Sequence, residues 1–71
     1  MRYQIKIGGR LDSSWSEWLG GLEIIHKEEN GSSLTYLIGN VEDQPALFTI
    51  LERMRDLNLL PISIEQIGEE K

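Results

Sequence analysis

Seventy-one residues limit the chain to one domain, and a domain of this size buries only about 60% of the surface that its unfolded chain exposes. Without cysteine, neither disulfides nor thiolate-bound metal can staple it, which leaves association with a second copy as the common remedy. Twelve acidic residues against seven basic ones give a formal charge of -5, and Arg2, Lys6, Arg10 and Lys27 are dispersed among apolar and acidic neighbours. That distribution argues against a nucleic-acid partner, whose phosphates require clustered cations. No apolar run approaches the ~20 residues of a membrane span, and the first ten residues lack a signal-peptide core. The expectation is a cytoplasmic protein with no membrane partner.

Tyr3, Ile5 and Ile7 alternate with Arg2, Gln4 and Lys6, the period of a strand with one buried face. Gly8-Gly9 permits a bend, and Leu11 returns the chain to the core. Ser14 and Glu17 have the spacing of a capping box, so one or two helical turns are expected before Gly20-Gly21, with Trp15, Trp18 and Leu19 on one apolar face. Leu22 to Glu29 and Ser32 to Val41 flank Asn30-Gly31, the pair favoured in a type I′ hairpin turn. Leu22, Ile24 and His26 are expected on one face of the first arm. Leu34, Tyr36 and Ile38 are expected to face together in the second, with Thr35 and Leu37 turned away.

Asp43 and Pro45 then open a helix whose apolar stripe is Leu47, Ile50, Leu51, Met54 and Leu57. Asn58 can adopt the left-handed conformation that ends it. Pro61 leads into a last strand, Ile62 to Ile67. The order of these elements predicts an α+β fold of the ferredoxin-like β-α-β-β-α-β kind: a four-stranded antiparallel sheet with a very short first helix and a long second helix on one face. Residues 1–67 form the single domain in this reading, and 68–71 a flexible C-terminal tail. The opposite sheet face would carry Gln4, Lys6, Ile25, Thr35, Leu37, Ser63, Glu65 and Ile67. Ile25 and Leu37 are too apolar for a simply wetted face, so they are the expected dimer contacts.

Residues that could carry chemistry are few. His26 is the single histidine, with no second histidine and no cysteine to build a metal site, and a strand position facing a neighbour accounts for it. The carboxylate pairs Glu28-Glu29, Glu42-Asp43 and Glu69-Glu70 are adjacent in sequence, unlike the separated carboxyls of glycoside hydrolysis. No phosphate loop, nucleophile elbow or EF-hand spacing occurs. Arg10, Trp15 and Trp18 have some binding character, since two tryptophans offer area and ring donors while Arg10 can stack on one or pair with Asp12. Core packing beneath the short helix accounts for the same tryptophans. Asp43 and Gln44, at the start of the long helix, are candidate contacts for a polar ligand. No catalytic residue, metal or cofactor is expected.

The pieces Gly9-Arg10-Leu11, Trp15, Trp18-Leu19-Gly20-Gly21-Leu22, Asn30-Gly31, Leu37-Ile38-Gly39, Val41 to Leu47 and Leu51 to Leu59 together span nearly the whole chain. In them the chain resembles a widespread group of small uncharacterised bacterial and archaeal α+β proteins. That group often has an aromatic at the position of Leu19, a histidine at that of Phe48 and a glycine at that of Asn58. Asn58 preserves the helix ending, whereas Phe48 removes the one side chain near Gln44 suited to acid–base work. The resemblance implies a compact fold and no assigned activity. The leading expectation is a soluble, non-enzymatic module that homodimerises and acts through contacts with an unidentified protein partner. The alternatives are a small-molecule-sensing domain and a small enzyme pairing His26 with a carboxylate.

Overall fold

The structure is a computed structural model and describes residues 1–68. Strands β1 (Arg2–Gly8), β2 (Glu23–Glu29), β3 (Ser32–Asn40) and β4 (Pro61–Ile67) form one antiparallel sheet in the order β2-β3-β1-β4. Among the described residues a single α-helix, α1 (Gln44–Asp56), occurs, and it connects β3 to β4. Between β1 and β2 there is only a 3-10 turn, Ser13–Trp15.

The ferredoxin-like β-α-β-β-α-β expectation is therefore wrong. The chain runs β-β-β-α-β, with one helix of 13 residues. The first connection is too short and too often broken to make a second helix. Asp12, not Ser14, caps the turn, its side chain accepting from the Ser14 amide at 3.0 Å. Ser16 Oγ donates to the Leu22 carbonyl at 2.6 Å, and Gly20 and Gly21 reverse the chain with φ of +77° and +76°. Of the three large apolar side chains in this segment only Leu19 is buried; Trp15 and Trp18 are 40% and 43% exposed. The proposed tail at 68–71 lies, beyond Gly68, outside the described residues.

The hairpin turn forms as its residues require, with φ of 53° at Asn30 and 79° at Gly31. Counting outward from the Glu29–Ser32 pair sets Thr35 opposite His26 and Leu37 opposite Ile24. On the other side of β3, Leu37 meets Ile5 and Thr35 meets Ile7. Thr35 and Leu37 thus face the helix, both fully buried, contrary to the expected parity of β3. The opposite, open face carries Leu34, Tyr36 and Ile38 beside Gln4, Lys6 and Ile25.

Helix α1 is bounded as its sequence dictates. The Asp43 side chain accepts from the Ala46 amide at 3.0 Å, and Pro45 stands in the first turn where its missing N–H costs nothing. Asn58, at φ +63°, closes the other end while the Leu59 amide donates to the Met54 carbonyl at 2.8 Å. Leu47, Ile50 and Met54 bury against Tyr3, Ile5, Ile7, Leu11, Leu19, Leu22, Leu37 and Val41. This one cluster on the helix side of the sheet is the core. The sheet ends in two edges of different character: β2 is flanked by the 3-10 turn, while β4 pairs with β1 alone.

Candidate functional site

The segment from Gly9 to Asp12 is fastened to the sheet by its own backbone. The Gly9 amide donates to the Ser33 carbonyl at 2.9 Å, and the Gly9 carbonyl accepts from Thr35 Oγ1 at 2.8 Å. The Leu11 amide in turn donates to Thr35 Oγ1 at 3.0 Å, and the Leu11 carbonyl accepts from His26 Nε2. A carbonyl only accepts, so Nε2 carries a proton and donates it. With Leu11 pointing into the core, Arg10 and Asp12 project outward on either side of it. Arg10, Asp12, Ser13 and His26 line a cleft of about 380 Å³. Sequence reasoning paired Arg10 with the tryptophans and treated His26 separately; strand pairing brings Arg10 and His26 together instead.

A second cleft, of about 400 Å³, lies between the Gly20 turn, Asn40 to Glu42 and the flank of α1 made by Ala46, Thr49, Ile50 and Arg53. Arg53 closes one side of it. Its guanidinium sits 4.5 Å from the Trp18 ring centroid, and Nη1 donates to the Trp18 carbonyl at 2.9 Å. Trp18 is thus a platform for Arg53 rather than for Arg10, and Trp15 is exposed on the 3-10 turn. Asp43 is occupied as the helix cap, and Gln44 is exposed beside it. His26 and Asp43 are not brought together: His26 stands opposite Thr35, whereas Asp43 follows Val41, six residues or roughly 20 Å further along. Glu28 accepts from Ser33 Oγ at 3.2 Å. Among the described residues no group of three His, Asp or Glu side chains could hold a metal ion.

On the open face, Tyr36 OH donates to Glu29 at 2.8 Å, and Lys6 Nζ lies 3.6 Å from the same carboxylate. Lys6 and Lys27 approach the Tyr36 ring at 5.9 and 5.5 Å. The hydrogen bond from Tyr36, aided by the Lys6 charge, holds the Glu29 carboxyl below its ordinary range, and the same bond raises the Tyr36 phenol. A depressed carboxyl contributes stability above its ordinary pKa, and that contribution is lost as pH falls through the lowered value. For Tyr36 the contribution is present below its ordinary pKa and is lost as pH rises through the raised one. In Tyr36→Phe, Glu29 should titrate at higher pH than in the parent, because the largest cause of its depression is gone, and a carbon-detected NMR titration reads the change. Ile25 is half-buried on this face, whereas Leu37 is wholly buried on the other and offers no surface for a partner.

Fold and clefts together define a small α+β domain: one helix packed on a four-stranded antiparallel sheet, with a polar cleft beside β2 and an unpaired edge at β4. The chain belongs to the family of domains of unknown function DUF8691, whose model matches residues 2–65, from the first residue of β1 into β4. No curated protein and no solved structure matches the chain. No helix among the described residues is long and apolar enough to cross a membrane.

Proposed function

We propose that this domain is a small non-catalytic interaction module that self-associates through the outer edge of β4. The observation that carries the reading is the exposed apolar row on and beside that strand: Leu60 is 77%, Ile62 58% and Ile64 41% exposed. An unpaired strand edge is a template for another strand, and monomeric proteins blunt it with lysines, prolines or bulges. Here Pro61 and the irregular pairing opposite Lys6 and Ile7 guard one end only. From Ser63 to Ile67 the single charge is Glu65.

Antiparallel pairing of two β4 strands about Ile64 would set Ser63 opposite Glu65 and Ile62 opposite Gln66, so no like charges meet. The flank of α1 bearing Ala46 and Arg53 lines the cleft at the Gly20 turn, and by the helical period Phe48, 59% exposed, lies on the opposite flank. This edge replaces the Ile25 and Leu37 contact expected from the sequence.

Light scattering across a micromolar dilution series tests the reading. The parent should have twice the 8.1 kDa chain mass, and Ile64→Lys should have the single-chain mass with an unchanged circular dichroism spectrum. Ile25→Glu, on the open face, should retain the parent mass. A parent of single-chain mass throughout, or dissociation by Ile25→Glu and not by Ile64→Lys, overturns it.

A further inference from the structure

The connection between β1 and the 3-10 turn is anchored through four backbone groups, the amide and carbonyl of Gly9 and those of Leu11. Arg10, held between them, forms no ion pair or hydrogen bond among the described residues. Asp12 spends one carboxylate oxygen on the Ser14 amide and keeps the other. Two opposite charges therefore stand two residues apart at the mouth of one cleft without neutralising each other. Their backbone is already ordered by folding, so a ligand would not have to order it.

We propose that this cleft binds a small amphoteric molecule of the amino-acid type, its carboxylate on the Arg10 guanidinium and its ammonium on Asp12, with His26 forming part of the cleft wall. The choice of ligand class follows from charge. A simple anion would meet Asp12 at the mouth and the -5 charge of the chain. A simple cation would meet Arg10. A molecule bearing both charges, a few bonds apart, satisfies both, and a guanidinium accommodates a carboxylate through two parallel N–H donors. A cleft of about 380 Å³ falls within the range of small-ligand sites. The site is complete in one copy and adjoins β2, the edge away from β4, so it does not depend on self-association.

The test is an amide-detected NMR titration of the full chain with glycine, and separately with acetate and methylammonium, which carry one half of its charge each. Glycine should give saturable shifts confined to residues 9–14 and the neighbourhood of His26, with a dissociation constant on the order of 1 mM. Acetate and methylammonium should bind at least about tenfold more weakly. Arg10→Gln and Asp12→Asn, both at exposed positions, should each weaken glycine about tenfold, while Arg55→Gln on the helix should leave it unchanged. Repeating the titration on Ile64→Lys separates this proposal from the dimer reading, because binding should persist in the single-copy form. Absence of saturable shifts with glycine, acetate binding as well as glycine, or an unaffected Arg10→Gln would overturn it.

Discussion

Thr35→Val is expected to lower the unfolding free energy by about 2–4 kcal/mol, although it changes side-chain volume hardly at all. Thr35 is fully buried, and its hydroxyl both accepts from the Leu11 amide and donates to the Gly9 carbonyl. Valine keeps the shape and removes both bonds, stranding a buried amide at a cost of about 1–3 kcal/mol, with a further cost at the partly buried carbonyl. Thr35→Ser supplies the control, since it keeps the hydroxyl and loses one methyl, worth about 1 kcal/mol. Urea unfolding of the three proteins, at constant slope, gives the comparison. A valine variant no less stable than the serine variant would mean that the hydroxyl does not anchor the loop.

The second large effect is expected at the glycine pair that turns the chain into β2. Gly20 and Gly21 have nearly equal φ, +77° and +76°, so alanine at either meets the same left-handed backbone penalty of about 1–2 kcal/mol. Their surroundings differ. A Cβ at Gly20 would stand 2.8 Å from Ile50 Cδ1 and 3.1 Å from its Cγ1, whereas one at Gly21 meets nothing within 4 Å. Ile50 belongs to the core and would have to shift to make room. Gly20→Ala should therefore cost about 2–4 kcal/mol and Gly21→Ala about 1–2 kcal/mol. Thermal unfolding of both isolates the packing term, and equal losses would show that Ile50 absorbs the added methyl without cost.

The strands, the hairpin turn and both ends of α1 could be read from the chain, because each depends on residues close in sequence: Asn30-Gly31, Asp43 with Pro45, and Asn58. The facing of β3 could also have been read and was not. A two-residue turn fixes the parity of both arms, so placing Leu22, Ile24 and His26 inward requires Thr35 and Leu37 inward as well. Leu34, Tyr36 and Ile38 populate the open face instead. The missing first helix had a signal too. Only eight residues lie between Leu11 and Gly20, and Asp12, three serines and two tryptophans with a bounding glycine pair suit turns better than a helix.

The cleft was less legible. Arg10 and His26 are separated by the whole first connection and meet only because the Leu11 carbonyl receives Nε2 from β2. No local pattern encodes that contact, which follows from the register of three strands. The pairing of Trp18 with Arg53, thirty-five residues away, was equally hidden, since the helix brings that guanidinium over the ring.

The position of β1 also governs how the molecule is made. It lies inside the sheet between β3 and β4, with Arg2 opposite both Asn40 and Ile67. Of the four strands of this sheet, the earliest made therefore acquires its last neighbour only when the end of β4 has been synthesised. Until then a hairpin and a helix can form, but the backbone edge of β1 that β4 will cover has no permanent partner. Pairing the earliest strand with the latest raises the mean sequence separation of contacts, which slows folding relative to a helical domain of the same length. During that interval the strand most in need of protection from a neighbouring nascent chain is β1, and completion of β4 moves the open edge outward by one strand.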